Sequence, residues 1–380
     1  MEAYLDNSAT TRVCDAACRA AVEAMQVGYG NPSSLHGMGF AAEKTVTAAR
    51  KQLADALSCD AGELIFTSGA TESNNLAIGG LTAAYPRNGK KIVTTAIEHP
   101  SVLEPCRRLE EAGYTVVRLP LDQNGQITPE AFAEAVDQNT VLVSFMLVNN
   151  EIGTLLDAEG ICKAVKRANP NTLIHIDAVQ GFCKVPFSLR RVAADTVSLS
   201  GHKIYAPKGV GALFIRKGIR IRPLTVGGGQ EKNLRSGTES VPLIAAFGAA
   251  VATTYPKVEQ HLSAYRAFNS YLRERLSAFP EITVNSKPDA VPYILNLSVR
   301  GIRSEIMLHH LERSGVYVSS GSACAKGAQS HVLAALGLKR EESDTAIRVS
   351  FSPDTDFAQL DALVDGLAQG LSTLARQGRR

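Results

Sequence analysis

A chain of 380 residues has room for one large domain and a smaller one. With 45% apolar and 20% charged residues it has the balance of a globular protein with a substantial core, and a net charge of +3 gives no broad electrostatic case for nucleic acid or membrane binding. Seven scattered cysteines lack the paired spacing of a zinc site or a disulfide framework, which points to a reducing, cytoplasmic compartment.

The chain opens on Met1-Glu2-Ala3-Tyr4-Leu5-Asp6-Asn7, acidic and polar, without the basic and apolar regions of a signal peptide. From about residue 60 to 220, short β-rich runs alternate with helical patterns. The predicted strands are Leu64–Thr67, Ile92–Thr95, Thr115–Leu119, Val141–Phe145, Leu173–Ile176, Thr196–Leu199 and Gly211–Ile215. Amphipathic stretches lie between several of them, among them Thr128–Val136 and Ala158–Ala168; the first starts with a cap residue followed by proline. This alternation predicts an α/β fold, a mostly parallel seven-stranded sheet flanked by helices, with ligands beyond the carboxyl ends of the strands. After Gly227-Gly228-Gly229 come two long helical stretches, Val241–Thr254 and Val258–Phe279. The uncharged run Ser240–Pro256 holds two prolines and is shorter than the ~20 residues of a membrane span. A smaller α+β region follows, with strands Ile294–Val299 and Ala346–Phe351 and a last helix over Phe357–Ala375. The expected organisation is an N-terminal segment (1–15) joining a small C-terminal domain (257–380), and a large domain (16–256) between them.

Several strand ends carry residues suited to chemistry. Ser200-Gly201-His202-Lys203 falls just past a strand, and a lysine that forms an imine needs a fixed approach to one carbonyl carbon and a lowered amine pKa. By itself the tetrapeptide reads equally well as a surface turn. Asp177-Ala178-Val179-Gln180 ends another strand; a carboxylate there suits a pyridine nitrogen, though a lone aspartate in that position is usually a cap or turn residue. In Thr67-Ser68-Gly69-Ala70-Thr71-Glu72-Ser73-Asn74, a strand, a small-residue turn and a helix bring free N–H groups and the helix dipole to one point, an anion site to which Thr71 adds a hydroxyl. Read singly, a plain N-cap is the simpler account. His99, beside Pro100, follows a further strand as either a turn residue or a proton shuttle.

In this order and spacing the motifs resemble the class V aminotransferase-like enzymes of fold type I that use pyridoxal phosphate, and among them the cysteine desulfurases with a mobile catalytic-cysteine loop. The resemblance runs from Tyr4–Thr11 through Gly28–His36, Gly69–Ser73, Glu98-His99, Asn149–Gly153, Asp177–Gln180, Ser200–Lys203 and Arg235–Thr238 to Ser319–Cys324 and Ile347–Ser350. It implies that Lys203 carries the cofactor as a Schiff base, Asp177 pairs with the ring nitrogen and Gln180 with the phenolic oxygen. Ala70, Thr71, Ser200 and His202 would hold the phosphate, with Thr238 reaching in from the partner subunit of a homodimer. His99 would stack on the ring, Asn149 would lie beside it and orient substrate, and Arg348 would clamp the substrate carboxylate. Cys324 would take the sulfur. No resident metal is implied, and Cys324 is the single residue offered as a transient iron–sulfur ligand.

The residues themselves support part of this. Cys324 sits in a run of small residues without an apolar anchor, beside Lys326, which favours thiolate character in an accessible loop. Arg348 alternates with Ile347 and Val349 on a strand, as an outward-facing arginine or as a bidentate fork for a carboxylate. The stretch from Cys324 to Ser330-His331-Val332-Leu333 is shorter than in the best-known housekeeping members, which leaves open the acceptor: an iron–sulfur scaffold, a thiolation enzyme or another carrier. The reaction expected is L-cysteine to L-alanine with a persulfide on Cys324. An aminotransferase or selenocysteine lyase, or a sulfur-transfer scaffold without catalysis, are the alternatives.

Overall fold

Runs of β-branched and aliphatic residues without polar interruption form strands only where both faces of a sheet are covered. The computed structural model describes residues 2–320 and 329–374 and places seven such runs in one sheet. Their spatial order is Leu64–Thr67, Gly211–Ile215, Thr196–Ser200, Leu173–Asp177, Thr140–Met146, Lys91–Thr95 and Thr115–Leu119. Gly211–Ile215 runs antiparallel to both neighbours, and the remaining pairings are parallel. Alternate side chains feed two apolar clusters: Ile65, Leu142, Leu173 and Leu213 on one side, Leu64, Phe66, Val143, Ile174 and Phe214 on the other. The edge strand Thr115–Leu119 buries only Leu119, as an edge does.

Three strands extend past their predicted ends into polar or sulfur-bearing residues. Met146, Asp177 and Ser200 continue the ladder because pairing uses the backbone: Met146 faces Asp177 and Ser200 faces Gly211. Two helices are shorter than predicted, Val258–Leu276 and Phe357–Thr373. Thr128 caps Pro129–Ala135 with its side chain.

The carboxyl ends at Thr67, Met146, Asp177 and Ser200 lie on one edge of the sheet, together with Gly211, where the antiparallel strand begins. A second, antiparallel sheet is built from Ser319–Ser320, Ala346–Ser350, Ile294–Val299 and Ile282–Val284. The N-terminal segment ties the two sheets together. Ala3–Tyr4 pairs with Val316–Tyr317, and Asn7 Nδ2 donates to the Ser350 carbonyl at 3.0 Å. Thr11 Oγ1 then donates to the His202 carbonyl at 3.0 Å. Val241–Leu276 is long and apolar enough by length and composition to cross a membrane, yet 56% of its most apolar window is buried inside the fold. Its first half packs against the helices Asp15–Gln26 and Gly37–Leu57.

Candidate functional site

A cleft of about 690 Å³ opens at this carboxyl edge, lined by Ser8–Thr10, Ser68–Glu72, His99, Asp177, Gln180, Ser200, His202, Lys203 and Arg348, among others. Its chemistry begins at the turn after Leu64–Thr67. Gly69 stands at φ +151°, a conformation that L side chains rarely adopt, and turns the chain into the helix Ala70–Ala84. No side chain caps this helix, so its first-turn N–H groups open on the cleft beside the Thr71 hydroxyl. Glu72 accepts from the Ser68 N–H at 2.7 Å and from Arg235 Nε at 2.8 Å. Ser200 and His202 complete this end. Burial, with Lys203 and Lys208 adding to it, brings His202 down to about 4, so the ring is neutral near pH 7, with Nδ1 3.3 Å from Thr10 Oγ1.

Asp177 ends its strand at the middle of the cleft. Its Oδ1 accepts from the Val179 N–H at 3.0 Å and its Oδ2 from Asn74 Nδ2 at 2.8 Å, and it is 6% exposed. Both of these donors are neutral, and a carboxylate so placed suits a positive partner such as a protonated ring nitrogen. Lys203 Nζ donates to the Ser8 and Ala9 carbonyls at 2.6 and 2.7 Å, which hold it on the cleft floor. Gln180 Nε2 donates to the same Ser8 carbonyl at 2.9 Å. Behind Gln180 lies Lys184, buried, its amine 3.3 Å from Gln180 Oε1 and pushed down to about 7 by burial first and by the charges of Lys203 and Arg348 next.

His99 caps the helix Pro100–Glu111: its Nδ1 accepts from the Ser101 N–H at 3.1 Å and lies 2.8 Å from Ser101 Oγ. Burial holds its pKa below the ordinary value, against the pull of Asp177. Arg348 is 7% exposed; Nη2 bonds to Asp6 Oδ1 at 2.7 Å and Nη1 to the Asn150 carbonyl at 3.0 Å, while Nε has no partner among the described residues. A guanidinium on the cleft wall is a ready site for a carboxylate.

Asn149 stands elsewhere than the resemblance implied. It is fully buried, its Nδ2 donates to the Ile97 carbonyl and its Oδ1 accepts from the N–H groups of Glu151 and Ile152, so it builds the turn, and Asn150 lines the cleft. Thr238 is exposed and does not line the cleft of its own chain. Cys324 lies outside the described residues. On either side of that stretch, Ser319 lines the cleft, and His331 Nε2 lies 2.9 Å from the Glu98 carbonyl, next to His99. Ser8, Ala9, Asp6, Glu98, Asn74 and Ser101 were not singled out from the sequence. For all but Ser101 the signal was present, since Tyr4–Thr11, Thr67–Asn74 and Glu98-His99 are among the motifs.

The donor set fits pyridoxal phosphate: an uncapped helix N-terminus for the phosphate, a buried carboxylate for the ring nitrogen and a lysine between them. Comparison with known proteins agrees. The aminotransferase class-V family model matches residues 3–363. A cysteine desulfurase of Nostoc sp. is 39% identical over 366 residues, covering 95% of this chain and 91% of its own length. Among solved structures, a NifS-like protein superposes with a TM-score of 0.93 at 36% identity, over 98% of this chain and all of its own. SspA in complex with cysteine does so with a TM-score of 0.82 at 32% identity, over 92% and 99%.

Proposed function

The chain belongs to the aminotransferase class-V family and is a pyridoxal-phosphate-dependent cysteine desulfurase, and on that premise we propose that Lys203 carries the cofactor and Cys324 takes the sulfur of L-cysteine as a persulfide. The observation that supports this most is the convergence of Lys203, Asp177 and Arg348 in one cleft around an uncapped helix N-terminus. The phosphate falls to Ala70, Thr71, Ser200 and His202, the ring nitrogen to Asp177, and the phenolic oxygen to Gln180, whose Nε2 here donates to the Ser8 carbonyl. When bound, the cofactor supplies a sink for the electron pair left when the substrate's Cα proton departs.

Everything else falls to this chain's side chains. Arg348 takes the substrate carboxylate, with Asp6 and the Asn150 carbonyl keeping the fork in place. Lys203, once its Nζ is released, lifts the Cα proton from its seat against the Ser8 and Ala9 carbonyls. The Cys324 thiolate attacks the substrate sulfur: an S–S bond forms, the Cβ–S bond breaks, and its electron pair stays with carbon. Lys203 returns its proton to Cα and the proton of the substrate thiol passes to Cβ, which completes L-alanine. The persulfide passes to an acceptor protein, an iron–sulfur scaffold or a thiolation enzyme, in a reducing cytoplasm where the six described cysteines stay free thiols.

Replacing Cys324 tests the assignment. Cys324→Ser should keep the bound cofactor's visible absorption and lose alanine formation by at least about a hundredfold, since a hydroxyl is a poor nucleophile toward sulfur. In the wild type, brief exposure to cysteine without reductant should add one sulfur to the Cys324 peptide by mass spectrometry. Full activity in the variant, or the sulfur on another cysteine, would sink the proposal.

A further inference from the structure

Of three bonded polar side chains that no step above uses, Asn74 and His175 lie behind the cleft and Ser101 lines it. Asn74 and His175 are fully buried and Ser101 is 7% exposed. An amide and an imidazole out of water are tolerated only when their bonds are complete, and here they are. Asn74 Nδ2 spends its two hydrogens on Asp177 Oδ2 and Ser101 Oγ, each at 2.8 Å. Asn74 Oδ1 lies 3.0 Å from His175 Nε2, and His175 Nδ1 lies 2.9 Å from Thr196 Oγ1.

The proton positions in this chain follow from its geometry. Burial brings His175 down to about 3, so the ring is neutral and carries one hydrogen. That hydrogen sits on Nε2, because Asn74 must present its oxygen there: a turned amide would set its oxygen against the Asp177 carboxylate and its hydrogens against His175. Ser101 Oγ, accepting from Asn74, donates to His99 Nδ1, which also accepts the Ser101 N–H. His99 therefore has a bare Nδ1, and its one ring hydrogen is on Nε2.

We propose that Asn74 is a positioning residue that serves both cofactor-facing groups at once, holding the Asp177 carboxylate and, through Ser101, fixing His99 as an Nε2–H donor. His99 then faces the reacting atoms as a neutral ring whose Nε2–H donates a hydrogen bond, while its Nδ1 stays occupied as an acceptor. The inference rests on the roles proposed above for Asp177 and His99.

The test uses histidine labelled with ¹⁵N in the holoenzyme and again after cofactor removal, with the His99 signals identified by their loss in His99→Gln. The wild type should show a bare Nδ1 and a protonated Nε2 in both forms. Asn74→Asp keeps the shape and loses both donors. It should raise the cofactor dissociation constant at least about tenfold, the usual cost of a lost hydrogen bond to a charged group, and raise the pH at which His99 takes up its second proton. Ser101→Ala keeps Asn74 on Asp177, so cofactor affinity should stay within about threefold. The His99 midpoint should still rise, because the Oγ–H bond that favours the neutral ring is gone. The other charges near that ring, Asp177, Lys203 and His331, are untouched in Ser101→Ala. A purely structural Asn74 would lower thermal stability in Asn74→Asp with cofactor affinity and His99 midpoint unchanged, and that result overturns the inference. If instead Asp177→Ala leaves cofactor affinity unchanged, the underlying reading of the site fails.

Discussion

Glu98 shows how one side chain beside a catalytic group carries its own pH signature. It is fully buried; Oε1 accepts from Thr95 Oγ1 at 2.6 Å and the Met146 N–H at 2.9 Å, and Oε2 has no partner among the described residues. Burial pushes its carboxyl up to about 8, with the two bonds to Oε1 opposing the shift and the Asp177 charge adding to it. The folded protein thus holds a proton on Glu98 that the unfolded chain gives up near its ordinary value of 4.5. Its contribution to stability is whole below that ordinary value and is lost as pH rises toward about 8. Glu98→Gln keeps the Oε1 acceptor and cannot ionise. Between about pH 5.5 and about pH 8 the wild type should lose roughly 3 kcal/mol of unfolding free energy relative to the variant, by urea denaturation at each pH. Parallel pH dependences would mean that Glu98 is ionised in the folded protein.

The turn after Leu64–Thr67 works because a neighbouring strand leaves it room. Gly211 begins the antiparallel strand opposite Thr67, and a Cβ there would lie 2.6 Å from both Gly69 Cα and the Leu199 carbonyl oxygen. Both obstacles are backbone, so the strand and the phosphate-facing turn would have to separate. Gly211→Ala should weaken cofactor binding by about tenfold or more and lower the unfolding temperature, read by absorbance titration and by calorimetry. Gly37 is the control: it starts the helix Gly37–Leu57 and a Cβ there meets nothing within 4 Å, so Gly37→Ala should leave both measurements unchanged or raise stability slightly. Equal behaviour of the two variants would show that the turn tolerates displacement.

The exposed apolar side chains concentrate between residues 22 and 40. Val22, Met25, Val27, Tyr29, Leu35, Met38 and Phe40 are all exposed, with Leu224 and Val226 exposed on the segment that leads to Thr238. Such a concentration is what a second copy of the chain would bury. The sequence resemblance implies a homodimer in which Thr238 reaches the partner's phosphate, and each site would then need both chains. Lys203→Ala and Thr238→Ala damage different sides of each site, so a dimer mixing the two variants keeps one site with both residues intact. Mixing the inactive variants should restore about a quarter to a half of wild-type activity where heterodimers form. Heterodimers without recovered alanine formation would place Thr238 outside the catalytic machinery.

Periodicity and punctuation alone located the seven strands within a residue or so, and with them the strand ends at Asp177 and the turns at Gly69 and Lys203, because a buried strand writes its length directly into a run of apolar residues. Local sequence could not say what a polar side chain meets once buried. Asn149 and Asn150 are adjacent and alike in sequence, yet the packed turn folds one inward onto the Ile97 carbonyl and leaves the other on the cleft. Lys203 and the Ser8 carbonyl lie 195 positions apart, and Asn74 and Asp177 103 positions apart. Asp6, Glu98, Ser101 and His175 likewise read as ordinary polar residues until the sheet brings them together. The kinds of group and the strand ends that bear them were therefore legible in the sequence. Their pairing, their burial and so their protonation came only with the tertiary structure, since removal from water is set by what the rest of the chain packs around each group.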